Sequence, residues 1–350
     1  MTLIFLNMLD QVTERGLDAV PSQRPLVSVL LIAYKQEHLI ADAVRSVLAQ
    51  TYSPLEILIS DDCSPDRTFE VIKESVRDYA GPHRIVLNRN SSNRGISAHL
   101  SLLAQMSHGE LLFVAAGDDI SAPERCDRVV NYWLAHDCKP DLIATDLIAL
   151  DNHGKTHEQL SPTNLANYQT FDDWVARRPH VVGASHTWTR RLFARFGDMM
   201  PGAMAEDQIM TFRAVMTGGA LNLREPLVLY RHGGLSRKRH WNSVEDFTAR
   251  IRQTNAFALA EITQLQQDAE AAGVGGKMRE VLAPKLAREN YTRDVFAIGS
   301  LGSKTRLMMK TRRVKLGFRI RMFLYAAFPC VYAPFFGAKR LLGGRRRVPR

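Results

Sequence analysis

Three pairs of acidic residues stand where a ligand can be met. Asp61 and Asp62 open the run Asp61-Asp62-Cys63-Ser64-Pro65-Asp66, directly after an apolar stretch. A carboxylate in that place can accept hydrogen bonds from a ligand N–H or a ribose hydroxyl, while Ser64 and Pro65 turn the chain. Asp118 and Asp119 follow Gly117 at the end of another apolar stretch. Adjacent carboxylates repel unless a cation lies between them and an anionic ligand, and oxygen-only ligation suits Mg²⁺ or Mn²⁺ carrying a phosphate. Glu206 and Asp207 precede the helical run QIMTFRAVM. A carboxylate in a first helical turn faces the positive end of the dipole, which favours the ionised form, and an ionised carboxylate can act as a general base. Each pair also has a plainer reading. Asp, Ser and Pro cap helices and make turns, Gly-Asp punctuates turns, and acidic first turns are ordinary helix stabilisers.

The elements around these residues alternate. VSVLLIAY from Val27 is continuously apolar and rich in β-branched residues, the pattern of a strand buried on both faces. Leu39, Ile40, Ala43, Val44, Val47 and Leu48 then repeat on one helical stripe. LEILIS (55–60), HRIVLNR (83–89), ELLFVAAG (110–117) and DLIATDLIAL (141–150) read as further strands, with helices over 69–80, 96–107 and the run RCDRVVNYWLAHD between them. Such alternation predicts right-handed βαβ units and a mostly parallel sheet flanked by helices. In such sheets ligands bind beyond the carboxyl ends of the strands, which is where Asp61, Asp62, Asp118 and Asp119 fall. Residues 151–180 are polar and irregular, a short helix is expected from Glu206 to Met216, and LVLYRH reads as a strand. Periodicity is helical from Val244 to about Gly299.

Composition places the chain among ordinary globular proteins. It has 350 residues, 45% hydrophobic and 23% charged, which excludes disordered, collagen-like and disulfide-scaffold classes. The formal charge is +10, but it is concentrated at one end. Fourteen of the 46 basic residues and no acidic residue lie between Lys304 and Arg350, leaving 32 basic against 36 acidic in residues 1–303. Met322 to Ala338 carries no charge and holds six aromatic residues and two prolines. That run is short of the roughly 20 apolar residues of a spanning helix and fits interfacial insertion, with the flanking basic residues drawn to an anionic membrane surface. Packing on the helical region and unspecific nucleic-acid contact are the alternatives. The four cysteines form no C-x-x-C pair or finger spacing, which argues against structural zinc and for a reducing compartment. The first residues lack the basic and apolar regions of a secretory signal, so the expected place is the cytoplasm, peripheral on the inner face of the cell membrane.

The segment PLVSVLLIAYKQEHLIADAVRSVLAQTYSPLEILISDDCSPDRT resembles the opening of the family-2 glycosyltransferases of the GT-A fold. That family repeats the strand, a helix carrying S-V-L-x-Q-T-Y, and the turn D-D-x-S-x-D-x-T at this spacing. The resemblance continues through Asn93-Arg94-Gly95, GELLFVAAGDDI, VVGASHTWTRRLFARFG, AEDQIMTFRAVMTGG and LVLYRHGGLSRK, covering about residues 25–240. It implies an α/β fold of the GT-A, Rossmann-like type. On this reading residues 1–24 are an arm and 25–240 the transferase domain, with a nucleotide-binding half (25–125) and an acceptor half (126–240). Residues 241–303 are then a helical region and 304–350 the basic, aromatic tail.

By position, the resemblance puts Asp61, Asp62 and Arg94 at the nucleotide of the donor. It puts Asp118 and Asp119 on the D-x-D segment that holds the metal, Mg²⁺ or Mn²⁺, and the donor diphosphate. Asp207 becomes the catalytic base, and His232 lies where relatives often place a histidine near the metal. The implied activity is inverting hexosyl transfer from a nucleotide-diphosphate sugar, such as a UDP-sugar, to a glycan or lipid-linked acceptor in surface polysaccharide biosynthesis. Two departures stand out. Ala116 occupies a position where the D-x-D often has Asp, which weakens the expected metal site. The Q-x-x-R-W motif of processive synthases is absent, since His240 precedes Trp241 in RKRHW. Arg231, Arg237, Lys238 and Arg239 can contact phosphates or form a solvated basic loop. Trp188 is either a sugar-stacking platform or a core residue. A noncatalytic nucleotide-sugar binder or membrane scaffold is the alternative class, and a glycoside hydrolase fits less well because its two carboxylates must flank a glycosidic bond.

Overall fold

The structure is a computed structural model, and it describes residues 24–151, 153–231 and 243–332. The chain begins with β1 (Val27–Ala33), α1 (Ile40–Leu48), β2 (Leu55–Asp61), α2 (Thr68–Val76), β3 (Arg84–Arg89), α3 (Ile96–Met106) and β4 (Leu111–Ala116). These strands pair in the order β3-β2-β1-β4, all parallel, as their unbroken apolar runs require. Val29, Leu31, Ile57, Ile59 and Phe113 face one side, covered by α1 and by α4 (Arg125–Ala135). Leu30, Leu58, Leu112 and Val114 face the other, covered by α3 and later helices.

Beyond β4 the sheet stops being parallel. A two-residue strand β5 (Ile120–Ser121) precedes α4, then β6 (Leu142–Leu150), β7 (Thr156–Leu160), α5 (Phe171–Ala176), β8 (His186–Thr189), α6 (Arg190–Phe196), α7 (Glu206–Val215) and β9 (Ala220–Arg231) follow. The order continues β4-β8-β6-β9-β5, with β8 antiparallel to both neighbours and β6 parallel to β9. The stretch expected to be irregular thus contains β7, paired antiparallel to β6, and α5. Their five- and six-residue lengths, with β7 exposed along most of its length, leave too little apolar periodicity to read from sequence.

The helical region consists of α8 (Val244–Ala271) and α9 (Gly275–Ala297), followed by α10 (Leu301–Lys310) and α11 (Leu316–Ala327). Trp174 of α5 and Phe212 of α7 pack with Ile262, Leu265, Met278 and Leu282, so α8 and α9 are a third layer against the domain. The fully buried Arg213 of α7 pairs with Asp268 of α8 through two hydrogen bonds of 2.8 and 3.0 Å. Removing one partner of such a pair leaves a buried charge alone, so the bond fixes α7, with Glu206 and Asp207 at its start, against α8.

Candidate active site

The carboxyl ends of β2, β1 and β4 lie side by side, because Ala33 is in register with Asp61 and Ile32 with both Ser60 and Ala116. Two strand spacings separate β2 from β4, about 10 Å, so Asp61 and Asp118 flank the end of β1 at one edge of the sheet. The β1–α1 turn fills the space between them. Lys35 N–H donates to Ser64 Oγ (2.9 Å) and Gln36 N–H to Thr68 Oγ1 (2.8 Å), while the Gln36 side chain bonds the Asp118 carboxylate. Lys35 and Cys63 both have positive φ, 56° and 59°, a conformation that side-chain-bearing residues adopt at a cost and that recurs at binding sites. A Cβ at Gly117 would sit 2.5 Å from Gln36 Oε1 and 2.8 Å from Ile40 Cδ1, so the ends of both side chains would have to shift.

The Asp61-Asp62 pair divides its labour. Asp61 is fully buried; its Oδ2 accepts Ser64 N–H (2.9 Å) and lies 3.4 Å from Arg89 Nε, whereas Oδ1 has no partner among the described residues. A buried acceptor without a donor at a strand end suits a ligand N–H or hydroxyl. Asp62 is committed internally. It accepts the Asn90 side-chain amide (2.8 Å) and the backbone N–H groups of Arg94 (2.8 Å) and Gly95 (2.9 Å). These three bonds hold the 90–95 loop against the end of β2. Arg94 meets Asp62 through its backbone, and its exposed side chain borders the same edge. Asp66 performs the cap function of the turn, accepting from both N–H and Oγ1 of Thr68.

The second acidic pair is joined to β9. Ile120 and Ser121 pair with Leu229 and Val228, which brings Asp118 and Asp119 alongside Tyr230 and Arg231. Arg231 N–H donates to Asp119 Oδ1 (2.8 Å), its Nε to the Asp118 carbonyl (3.0 Å) and its Nη1 to the Asp151 carbonyl (2.8 Å). Burial pushes the Asp118 carboxyl above its ordinary range, with Arg231 and Gln36 opposing. Burial and then the neighbouring Asp118 push Asp119 well above it, against the pull of Arg125 and Arg231. Two carboxylates disfavoured in their charged forms this way favour a cation between them. Among the described residues no group of three or more His, Cys, Asp or Glu could hold a metal. Asp118 and Asp119 would be the protein's own ligands to a Mg²⁺ or Mn²⁺ ion, with its other oxygen ligands left to come from water and a diphosphate. His232, Arg237, Lys238 and Arg239, and the RKRHW segment, lie outside the described residues.

Glu206 and Asp207 begin α7. Burial, and then Asp207, push the buried Glu206 carboxyl up to about 8, and burial also raises Asp207. Desolvation therefore raises both carboxyls although they stand at the positive end of the α7 dipole. Gly183 makes room for Glu206, since a Cβ there would lie 2.6 Å from Glu206 Oε1. Tyr230 joins the two halves. Its phenol is pushed up by burial and then by the charges of Asp119, Asp118, Asp207 and Glu206.

A stability profile follows from Glu206. Below its ordinary value of 4.5 both folded and unfolded states hold the proton; between 4.5 and about 8 only the folded state does, so stability falls as pH rises through that window. Glu206→Gln should match the parent near pH 5 and exceed it near pH 8.5 by a few kcal/mol, on the order expected for a shift of this size. Urea unfolding at the two pH values checks this, and an equal slope in both proteins would refute the assignment.

Gln36, Arg125 and Tyr230 were not singled out by their sequence positions. Gln36 lies three residues past a strand end and was findable by that rule. Arg125 sits inside an amphipathic helix pattern, yet it is buried, bonding Ser121 Oγ and the carbonyls of Ala184 and His186. Trp188 is fully buried in the core between β4 and β6, so it is not a stacking platform.

A mixed sheet with acidic residues gathered at the strand ends and a helical layer behind defines the GT-A class of glycosyltransferase fold. Residues 28–193 match the family described as glycosyl transferase family 2. EpsE of Bacillus subtilis strain 168, named as a glycosyltransferase, is 28% identical over 139 residues, 40% of this chain and 49% of its own. TuaG of the same strain, named for teichuronic acid biosynthesis, is 24% identical over 211 residues, 59% of this chain and 79% of its own. The chain thus spans about half the length of the first of these relatives. Among solved structures, TarS 1–349 of S. aureus in complex with UDP-GlcNAc superposes with a TM-score of 0.50 at 16% identity, covering 91% of this chain and 92% of that one. GalNAc-T7 with UDP, GalNAc and Mn²⁺ also reaches 0.50 at 15% identity, over 76% and 58%.

Proposed function

We propose that the protein is an inverting, metal-assisted glycosyltransferase that moves a hexosyl group from a nucleotide-diphosphate sugar, of the UDP type, to a hydroxyl of a surface-glycan acceptor. The observation that carries this reading is that Asp119 and Ala184 border one small pocket while the adjoining Gly183 lies against Glu206 and Asp207, with the unpartnered Asp61 oxygen at the carboxyl end of β2. Asp61 Oδ1 takes a donor group of the nucleoside, and the exposed Arg94 side chain meets its phosphates. A divalent cation held by Asp118 and Asp119 supplies charge neutralisation to the diphosphate. Asp207 accepts the proton of the acceptor hydroxyl as that oxygen bonds to the anomeric carbon. The bond from that carbon to the diphosphate breaks on the opposite side, so configuration inverts and the nucleoside diphosphate leaves with the electron pair. Glu206, protonated at neutral pH, leaves the negative charge of the pair to Asp207, whose basicity is raised by burial. The relatives named for glycosyl transfer and teichuronic acid biosynthesis support the substrate class.

The test is a panel of nucleotide sugars with and without Mn²⁺, read by thermal shift and by release of nucleoside diphosphate. One donor should raise the melting temperature with the ion and release its nucleotide when a polysaccharide precursor is added. Failure of every donor to stabilise the protein or release nucleotide would overturn the reading.

A further inference from the structure

We infer that α10 and α11 form a docking surface for an anionic lipid bilayer, with the exposed side of α11 as the inserting face. Leu316, Ile320, Leu324 and Phe328 recur every four residues, and Val331 follows in the next turn. All five are exposed, from 38 to 66%. Four-residue spacing places them on one stripe of the helix. The opposite side is already used: Phe318, Met322, Tyr325 and Ala326 pack with Tyr291, Val295 and Phe296 of α9. Tyr291 Oη donates to the Arg319 carbonyl (2.9 Å), and Lys304 Nζ to the Ala326 carbonyl (2.7 Å). The helix is thus held to the body by one face while it presents an apolar stripe with the other.

Charge decides what can cover that stripe. Lys310, Arg312, Arg313, Lys315 and Arg321 lie along α10, α11 and their connection, and the sequence from Lys304 to Arg350 has no acidic residue. An apolar stripe bordered only by cations matches the acyl boundary and headgroups of an anionic bilayer. It is a poorer match for a polynucleotide, which would leave five apolar side chains facing water or phosphate. No described helix is long and apolar enough to cross a membrane, so the helix lies in the interface. Leu324, Phe328 and Val331 belong to the run Met322–Ala338 expected to insert, Met322 itself is buried against α9, and residues 333–338 lie outside the described residues.

The placement also links the docking surface to α8. Phe247 of α8 stacks edge-on against Tyr325 of α11, with ring centroids 5.0 Å apart. Glu261, further along α8, contributes to the field at Asp207. Fourteen residues of helix separate them, about 20 Å. If the proposed transfer reaction holds, the surface would bring the enzyme to an acceptor carried by the bilayer; the docking itself does not depend on that reading.

Flotation of the full chain with vesicles tests the surface. Binding is expected to vesicles of phosphatidylcholine mixed with phosphatidylglycerol, to weaken with salt, and to be absent on phosphatidylcholine alone. The variant Leu316→Glu/Ile320→Glu/Leu324→Glu changes only exposed side chains and should bind on the order of 100-fold more weakly. Lys315→Gln/Arg321→Gln should weaken binding about tenfold, and it keeps the test available if the first variant does not fold. Wild-type affinity in both variants would overturn the proposal, as would a wild-type chain that ignores anionic vesicles. Two further results would also overturn it: polynucleotide binding that needs the same stripe, or a dimer that the glutamate variant makes monomeric. Vesicle binding without any sugar transfer would leave the docking intact and count only against the proposed reaction.

Discussion

Asp207→Asn is expected to reduce sugar transfer about 10³-fold, the range in which general base catalysis contributes, while donor affinity changes by less than about threefold. The argument is one of chemistry and of place. Asparagine keeps the size of the side chain and its ability to accept the Gln208 N–H bond of 2.7 Å, so the first turn of α7 should stay formed. What disappears is a carboxylate whose proton affinity is raised by burial, the property that makes it a stronger base than an exposed aspartate. The acidic neighbour sharpens the test. Once Asp207 is neutral, Glu206 loses the second cause of its own upward shift, so it should ionise more readily in the variant. A small residual rate that rises with pH would then report Glu206 as a poorly placed substitute, and Glu206→Gln/Asp207→Asn should erase it. Calorimetric titration of the nucleotide sugar separates binding from chemistry. Full activity in Asp207→Asn would end the base assignment, and loss of donor binding with loss of activity would move Asp207 to the donor side.

The legible and illegible parts of this site differ in kind. VSVLLIAY, LEILIS and ELLFVAAG announce strands buried on both faces, and a parallel sheet built from them puts Asp61 and Asp118 at one edge. Local apolar pattern and the strand-end rule were enough for that. The second half resisted because its order in the sheet is not local. His186–Thr189 is a four-residue strand inserted antiparallel between β4 and β6, and no periodicity of four residues specifies its neighbours. The two residues of β5 set the relation of Asp118 and Asp119 to Tyr230 through pairing with a strand over a hundred positions away. Burial was illegible in another way. Asp62 and Asp61 are adjacent and chemically identical, yet three hydrogen bonds commit one to a loop while the other keeps an unpartnered oxygen. Tertiary placement alone separates the two carboxylates. The same holds for the first turn of α7, where the helix dipole was visible in the sequence and the desolvation that outweighs it was not.

Asp118→Asn is expected to lower kcat/KM about 10²-fold and to raise the divalent-cation concentration for half-maximal activity more than tenfold, with no loss of stability. Of the two aspartates it gives the cleaner experiment. Asp119 is almost fully buried and accepts the Arg231 N–H that ties the end of β9 to the β4–α4 connection, so replacing it mixes a structural change with loss of a ligand. Asp118 is more exposed, and its known support is the Gln36 side chain, which an asparagine can also meet. Removing its charge takes away the second cause of the upward shift at Asp119. The folded protein therefore holds Asp119 ionised more easily, and relief of like-charge repulsion should raise the melting temperature in metal-free buffer. Stability and activity thus move in opposite directions, which a merely misfolded variant cannot imitate. Melting curves with and without Mn²⁺, alongside activity against cation concentration, provide the check. If Asp118→Asn keeps the parental cation dependence, or if the parent is fully active after chelation, the aspartate pair has no part in holding a metal, and Ala116 marks a domain that neutralises the diphosphate by other means.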